Sequence, residues 1–285
     1  MLYRWYLPMP LLEPLQYEFM RNAIAIGMLT GILCPIVGSF LIVQRLALLG
    51  DVVAHCVFPG LALSFFWKID ILIGAFISGI LGTFLIGWIR TQSRVKVDAA
   101  MALIFSSFFA LGITLITLLR TKIDLDAFLF GDILSVTPTD IARTLVVTLG
   151  IGLATKLFYK ELLFYSLDRT GAEAIGLPVQ LIHFGFMAAV TLTLIASMQA
   201  VGVLLVIALL VGPALTAYLL VKELAQMIGL GSLLGVLASV SGVYLSYFLN
   251  IPSGAAIVLV SSSFFLLALL FSPSQGILTR SQSRS

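Results

Sequence analysis

Asp51 and His55, in the stretch LLGDVVAHCVFPG (residues 48–60), set a carboxylate and an imidazole four residues apart. That spacing puts both side chains on one face of a helix. A carboxylate with a neutral imidazole is half of a coordination sphere for a borderline divalent cation such as manganese, iron or zinc. An Asp–His pair that merely ties two segments together would use the same spacing. Two features favour an ion route. The surroundings are almost wholly apolar, and ionisable groups inside a membrane are costly and mark transport paths. In addition, Pro59 and Gly60 interrupt the helix just beyond.

The remaining chemistry-bearing residues are few. Cys56 follows His55 but lies about 100° further round a helix, so it points away from the pair, towards lipid or packing. With Cys34 it forms no CxxC pair, which argues against a disulfide framework or thiolate site. His183, the only other histidine, opens an apolar run and reads as an interfacial or packed residue. Asp98 reads as a helix-start residue. Asp124 and Asp126 sit in an acidic connection, RTKIDLDAFLFGDIL (120–134), where they either gather cations or are simply solvated. Ser106, Ser107 and Ser261 to Ser263 lie within apolar runs, where hydroxyls bond back to their own helix. No GxSxG or HExxH pattern accompanies them, so an enzyme finds no nucleophile and base. Neither is there a GxxxxGK[ST] loop; uphill transport would need its ATP bound on another chain.

The elements that must hold these residues are membrane helices. Of 285 residues 60% are hydrophobic and only 10% charged, and mean hydropathy is +1.14. Soluble domains carry roughly 25% charged residues, so the chain reads as an all-α, polytopic integral membrane protein, one transmembrane domain over 1–285. The net charge of +3 does not suggest a nucleic-acid partner. Eight apolar spans are expected at about 22–43, 71–89, 99–119, 141–158, 181–198, 201–221, 228–249 and 255–271. A ninth, 52–67, is short and carries Pro59 and Gly60, so it is either broken or re-entrant. Alternating spans gather residues 89–96, Lys156, Lys160, Arg169, Lys222, Arg280 and Arg284 on one side, which the positive-inside rule makes cytoplasmic. The start of the chain, with Tyr3, Trp5 and Tyr6, has no small-residue cleavage site and reads as an interfacial lead-in rather than a signal peptide. Dense glycines such as GAFISGILG read as close helix packing.

Five stretches stand in a familiar order: LLGDVVAHCVFPGLALS (48–64), DAAMALIFSSFFALGITLI (98–116), FLFGDILSV (128–136), MQAVGVLLVIALLVGPALTAYLL (198–220) and SGVYLSYFLNIPSGAAIVL (241–259). Together they resemble the permease family of ABC transporters that import manganese, zinc and iron, and in detail the manganese importers. The resemblance implies a multi-pass permease of the plasma or inner membrane, driven by a cytoplasmic ABC ATPase. It also implies a metal-binding protein outside the membrane that delivers the ion, and a second permease copy. The transported metal is then manganese, or zinc or iron; an ion-coupled secondary carrier is the rival from another class. The family's metal-contacting Asp and His match Asp51 and His55. The serine common before that histidine is here Ala54, followed by Cys56, and Asp132 stands where related chains often have Asn. SLDRTGAEAIGLP (166–178) matches the family's cytoplasmic coupling helix, with Asp168, Thr170, Glu173 and Gly176 as its coupling residues. Asp168 or Thr170 can start that helix, and Gly176 and Pro178 can stop it.

Overall fold

The computed structural model describes residues 13–121, 131, 133–272 and 277. Twelve α-helices run in chain order through them: α1 (Glu18–Val43), α2 (Leu49–Cys56), α3 (Phe58–Trp67), α4 (Ile71–Gln92), α5 (Val97–Leu118), α6 (Pro138–Leu157), α7 (Tyr159–Leu167), α8 (Arg169–Ala174), α9 (Val179–Val201), α10 (Val203–Leu220), α11 (Leu224–Leu249) and α12 (Ser253–Phe271). All nine expected apolar runs are helical. The short one is also long and apolar enough to cross: α2 and α3 together make a candidate span of 19 residues, Leu49–Trp67, interrupted at Val57. The connection 159–167 is helical too (α7) and turns 75° from α6.

Contacts between helix ends show which of them lie together. Asn22 Nδ2 donates to the Val136 carbonyl at 3.4 Å, and the Tyr17 and Tyr247 rings lie 6.3 Å apart. The starts of α1 and α6 and the end of α11 therefore share one end. At the other, Gln44 Nε2 donates to Ser166 Oγ at 3.1 Å, joining the end of α1 to α7. The acidic residues Asp124, Asp126 and Asp132, and the basic residues Arg280 and Arg284, lie outside the described residues.

These helices are apolar on nearly every face, so hydrophobic periodicity does not choose their neighbours. Small residues do, by letting backbones approach. α1 and α11 cross at Gly31 and Gly235, where a Cβ on Gly31 would stand 2.7 Å from the Gly235 carbonyl. α3 and α4 cross at Gly60 and Gly74 with Ser64 and Ser78 beside them; a Cβ on Gly60 would overlap the Gly74 carbonyl. α1 is the central post, packed by α6, α9, α10 and α11. α2 lies against α4, α5, α9 and α10 and so bridges the two groups. Between α9 and α10 a single residue, Gly202 at φ +84°, reverses the chain, a conformation that other residues adopt only under strain.

Inside a bilayer each polar backbone group freed by a break needs a partner from the protein. At the break between α2 and α3 the Cys56 carbonyl receives one, from Ser78 Oγ of α4 at 2.6 Å. Elsewhere the buried hydroxyls of Thr30, Ser39, Thr148 and Thr191 donate to carbonyls one turn back on their own helices. Gly60→Val should lower the melting temperature of the detergent-purified protein or abolish its folded yield, because overpacking against backbone costs at least about 1–3 kcal/mol. Gly152→Ala should not, since its Cβ would meet nothing within 4 Å. Equal melting of both variants would show that the α3–α4 crossing is not close-packed.

Candidate functional site

Leaving α1, the chain turns through Arg45 at φ +58°. The Leu46 amide donates back to the Leu41 carbonyl at 2.8 Å. That turn starts α2 next to α10, and Gly50 lets the Leu210 side chain approach α2. Asp51 and His55 then fall one helical turn apart, as their spacing requires, on the side of α2 that faces away from the core. His55 Nδ1 lies 2.8 Å from the Asp51 main-chain carbonyl and 3.4 Å from its Oδ1. A carbonyl only accepts, so Nδ1 carries the hydrogen. In the neutral ring the lone pair is therefore on Nε2, where a metal would be bound. The ring is held on three aromatic surfaces, Phe58, Phe105 and Phe109, at centroid distances of 5.7, 4.5 and 5.3 Å. His55 keeps 14% of its side chain exposed and Asp51 42%.

The pair lies level with the middles of its neighbouring helices. Phe105 and Phe109 are near the middle of the 22-residue α5. Asp51 shares a pocket of about 370 Å³ with Val211 and Gly212 of α10 and with Ser261 and Ser262 of α12, all close to the midpoints of those helices. Read along the sequence, Asp51 stands at the edge of an apolar run; in the fold it stands beside the midpoints of α10 and α12. Ala54 and Cys56 are buried on the other side of α2. The Cys56 thiol packs where Gly82 of α4 has no side chain, so it faces protein rather than lipid or the pair.

Other sequence-derived candidates sort themselves by place. His183 is half-buried in the first turns of α9, its Nδ1 2.6 Å from Tyr165 Oη. Asp98 is exposed in the first turn of α5. The four residues of 166–178 collect on and around α8. Asp168 caps it, accepting from the Gly171 amide at 2.9 Å, and Thr170 and Glu173 face outward. Gly176, at φ +83°, ends it: the Gly176 and Leu177 amides donate to the Glu173 and Ala172 carbonyls, a Schellman stop. Ala172 is sealed against Tyr165 and Val179, while Leu167 and Ile175 stand exposed. The aromatic walls around His55, the Ser78 bond and the Ser261 pocket were not read from the sequence. Phe105 and Phe109 are i, i+4 on α5, but nothing local says which helix they face. Ser106 and Ser263 do bond back to their helices; Ser261 does not, and its buried hydroxyl has no hydrogen-bond partner. Among the described residues no group of three or more His, Cys, Asp or Glu comes together, so there the metal ligands within reach of one another are two at most.

A helical bundle of this length that carries an Asp–His pair level with the middles of its helices and a capped helix at its basic end defines a membrane permease. The chain belongs to the ABC 3 transport family, which it matches over residues 16–272. It is 42% identical over 267 residues to the manganese transport system membrane protein MntC of Halalkalibacterium halodurans, covering 93% of this chain and 91% of that one. It is 37% identical to the chelated iron transport system membrane protein YfeD of Yersinia pestis, covering 91% and 87%. Among solved structures it superposes on PsaBC from Streptococcus pneumoniae, in complex with Fab, with a TM-score of 0.86 at 40% identity, over 95% of this chain and 98% of that one.

Cys34 and Cys56 are free and fully buried. In the folded protein both should resist a membrane-permeant maleimide and react only on unfolding. Cys56→Ala should keep metal uptake while losing on the order of 1–2 kcal/mol of stability. Loss of uptake with normal assembly would instead give the thiol a part in the route.

Proposed function

We propose that this chain is the translocating subunit of an ATP-driven importer of divalent transition metal, manganese in the first place, with Asp51 and His55 as the metal-contacting residues. The observation that carries the reading is the Asp51–His55 pair beside the midpoints of its neighbouring helices, whose hydrogen bond from Nδ1 leaves the lone pair of the neutral ring on Nε2. Support for the metal comes from the relatives named as manganese transport proteins. Mixed nitrogen and oxygen ligands without thiolate bind such a cation and still release it, as transport requires. A chelated-iron relative keeps iron as the second reading. Membership of the ABC 3 family displaces the ion-coupled carrier.

Because one chain brings one Asp and one His, two copies about a twofold axis would supply two of each, enough for a complete transient site. Arg94, Lys96, Lys156, Lys160, Arg169 and Lys222 lie at the end that holds α7 and α8; the positive-inside rule makes that end cytoplasmic. There α8, flanked by the exposed Leu167 and Ile175, serves as the coupling helix: it docks in a partner ATPase, and closure of that partner moves α7 and the spans attached to it. Metal is handed over at the opposite end by an extracytoplasmic binding protein.

Asp51→Ala and His55→Ala should each reduce uptake of radioactive manganese by at least about tenfold in cells expressing the whole importer, the size of effect expected when a metal's immediate surroundings are altered. Membrane insertion and assembly should stay normal. Uptake at the wild-type rate by both variants would leave the pair with a structural role only. Gly176→Val forces a β-branched residue into the left-handed region at a cost of about 1–2 kcal/mol. ATPase stimulation should then separate from transport; unchanged coupling would remove α8 from the transmission path.

A further inference from the structure

A cavity of about 440 Å³ at the basic end, between α4, α5 and α9, is a different space from the one beside Asp51. Leu46 and Leu49 border it, whereas Ala47, Leu48 and Asp51 border the other, and the two share no residue. Its volume falls in the range of about 300–1,000 Å³ usual for small-ligand sites. One wall is aromatic and opens outward. Ile73, Ile77, Leu81, Phe84 and Trp88 stand exposed at spacings of three and four along α4, which makes one apolar stripe down the side of the bundle. Phe84 and Trp88 end that stripe within the cavity wall, and the Phe84 ring stacks on Phe184 of α9 with centroids 6.3 Å apart. Such a stripe on a membrane helix meets acyl chains, and a tryptophan at its end belongs at headgroup level.

The other wall is polar and carries a charge. Arg169, Gln180 and His183 line it, and no Asp or Glu does. Arg169 opens α8, yet its guanidinium lies back over the Tyr165 ring, with Cζ 6.0 Å from the centroid. The Asp168 carboxylate beside it in sequence is turned to the Gly171 amide. Among the described residues no carboxylate lies within ion-pair distance of Arg169. A guanidinium in that position is matched by a phosphate, which its N–H groups bind in pairs.

We propose that this cavity binds an anionic phospholipid of the cytoplasmic leaflet: Arg169 and Gln180 hold the phosphodiester, and an acyl chain runs out along Phe84 and Phe184. Basic pockets between membrane helices at the cytoplasmic face take such headgroups. A zwitterionic lipid offers the same phosphate but adds a cationic head, for which a cavity with a guanidinium and no carboxylate has no partner. The preference is therefore for net negative charge. Because Arg169 is the first residue of α8, the bound headgroup ties the start of that helix to the membrane surface. The side of the membrane follows from the positive-inside rule; neither the identity of the metal nor the role of Asp51 enters.

The test uses the full chain with Trp5 and Trp67 replaced by Phe, so that Trp88 alone of its three tryptophans fluoresces, reconstituted in phosphatidylcholine vesicles. Brominated phosphatidylglycerol and brominated phosphatidylcholine are then added in turn as quenchers. Quenching of Trp88 should favour the phosphatidylglycerol about fivefold, the gain expected from one basic residue at the membrane surface. Arg169→Ala should abolish that preference and Gln180→Ala should reduce it, at an unchanged melting temperature. Arg94→Ala, which removes an exposed charge of the same end outside the cavity, should leave it as it was. Equal quenching by the two lipids before any of these changes overturns the proposal, as does a preference that survives intact in Arg169→Ala. An equal loss in Arg94→Ala, the mark of general attraction to a negative surface, overturns it too. Exclusion of both lipids from Trp88 by soluble glycerol phosphate would give the site to a free phosphate ester instead of a lipid and overturn it as well.

Discussion

The hydrogen bond from Ser78 to the Cys56 carbonyl lets the helix that carries Asp51 and His55 break just beyond them. Pro59 has no N–H to donate, and the helix pauses at Val57. In lipid an unanswered carbonyl at such a break would cost several kcal/mol. Ser78 answers that of Cys56 from α4, and it can do so because Gly60 and Gly74 let α3 and α4 touch backbone to backbone. The break is thus held by packing. Asp51 and His55 sit on the short helix that this arrangement sets off, with α5 aromatics behind the imidazole and the α10–α12 pocket beside the carboxylate.

Rigidity and mobility are divided along the chain. α1, α10 and α11 interlock through Gly31, Gly38 and Gly235, where added side chains would meet backbone. At the basic end, α7 and α8 join the bundle through the Gln44–Ser166 hydrogen bond, the Tyr165–His183 pair, the inward-facing Tyr159, Leu162 and Leu163 of α7 and the small cluster around Ala172. A firmly capped short helix at the end of such an arm is suited to move with it as a unit. The firm core gives that motion something to act against, and α2, packed on both groups of helices, lies where displacement would reach the site.

The Asp51–His55 geometry shows how much a four-residue spacing carries. Helical pitch alone brings the two side chains together, and it sends Cys56 to the far side of α2. The ends of α8 were likewise legible, since Asp168 caps and Gly176 stops as their chemistry prescribes. Less was legible wherever two distant segments meet. Phe105, Ser78 and Ser261 are ordinary residues of apolar spans until the fold sets them beside His55, Cys56 and Asp51. The helix over 159–167 was not legible, because Lys160 and Glu161 make the segment polar while the contacts of Leu162, Leu163 and Tyr165 that pack it inward are tertiary.

Composition and run length determined that this protein is a bundle of membrane helices, because hydrocarbon admits no other way of satisfying so many backbone groups over so many apolar runs. Local spacing determined the pair and the helix that caps itself, because both depend on contacts within one or two turns. The depth of the pair, the facing of each span and the partners of its hydroxyls were decided by tertiary structure alone. Spans that are apolar all round give no periodic signal of which face is buried. Only the backbone approaches permitted by particular glycines and serines select one packing from the many that such helices could adopt.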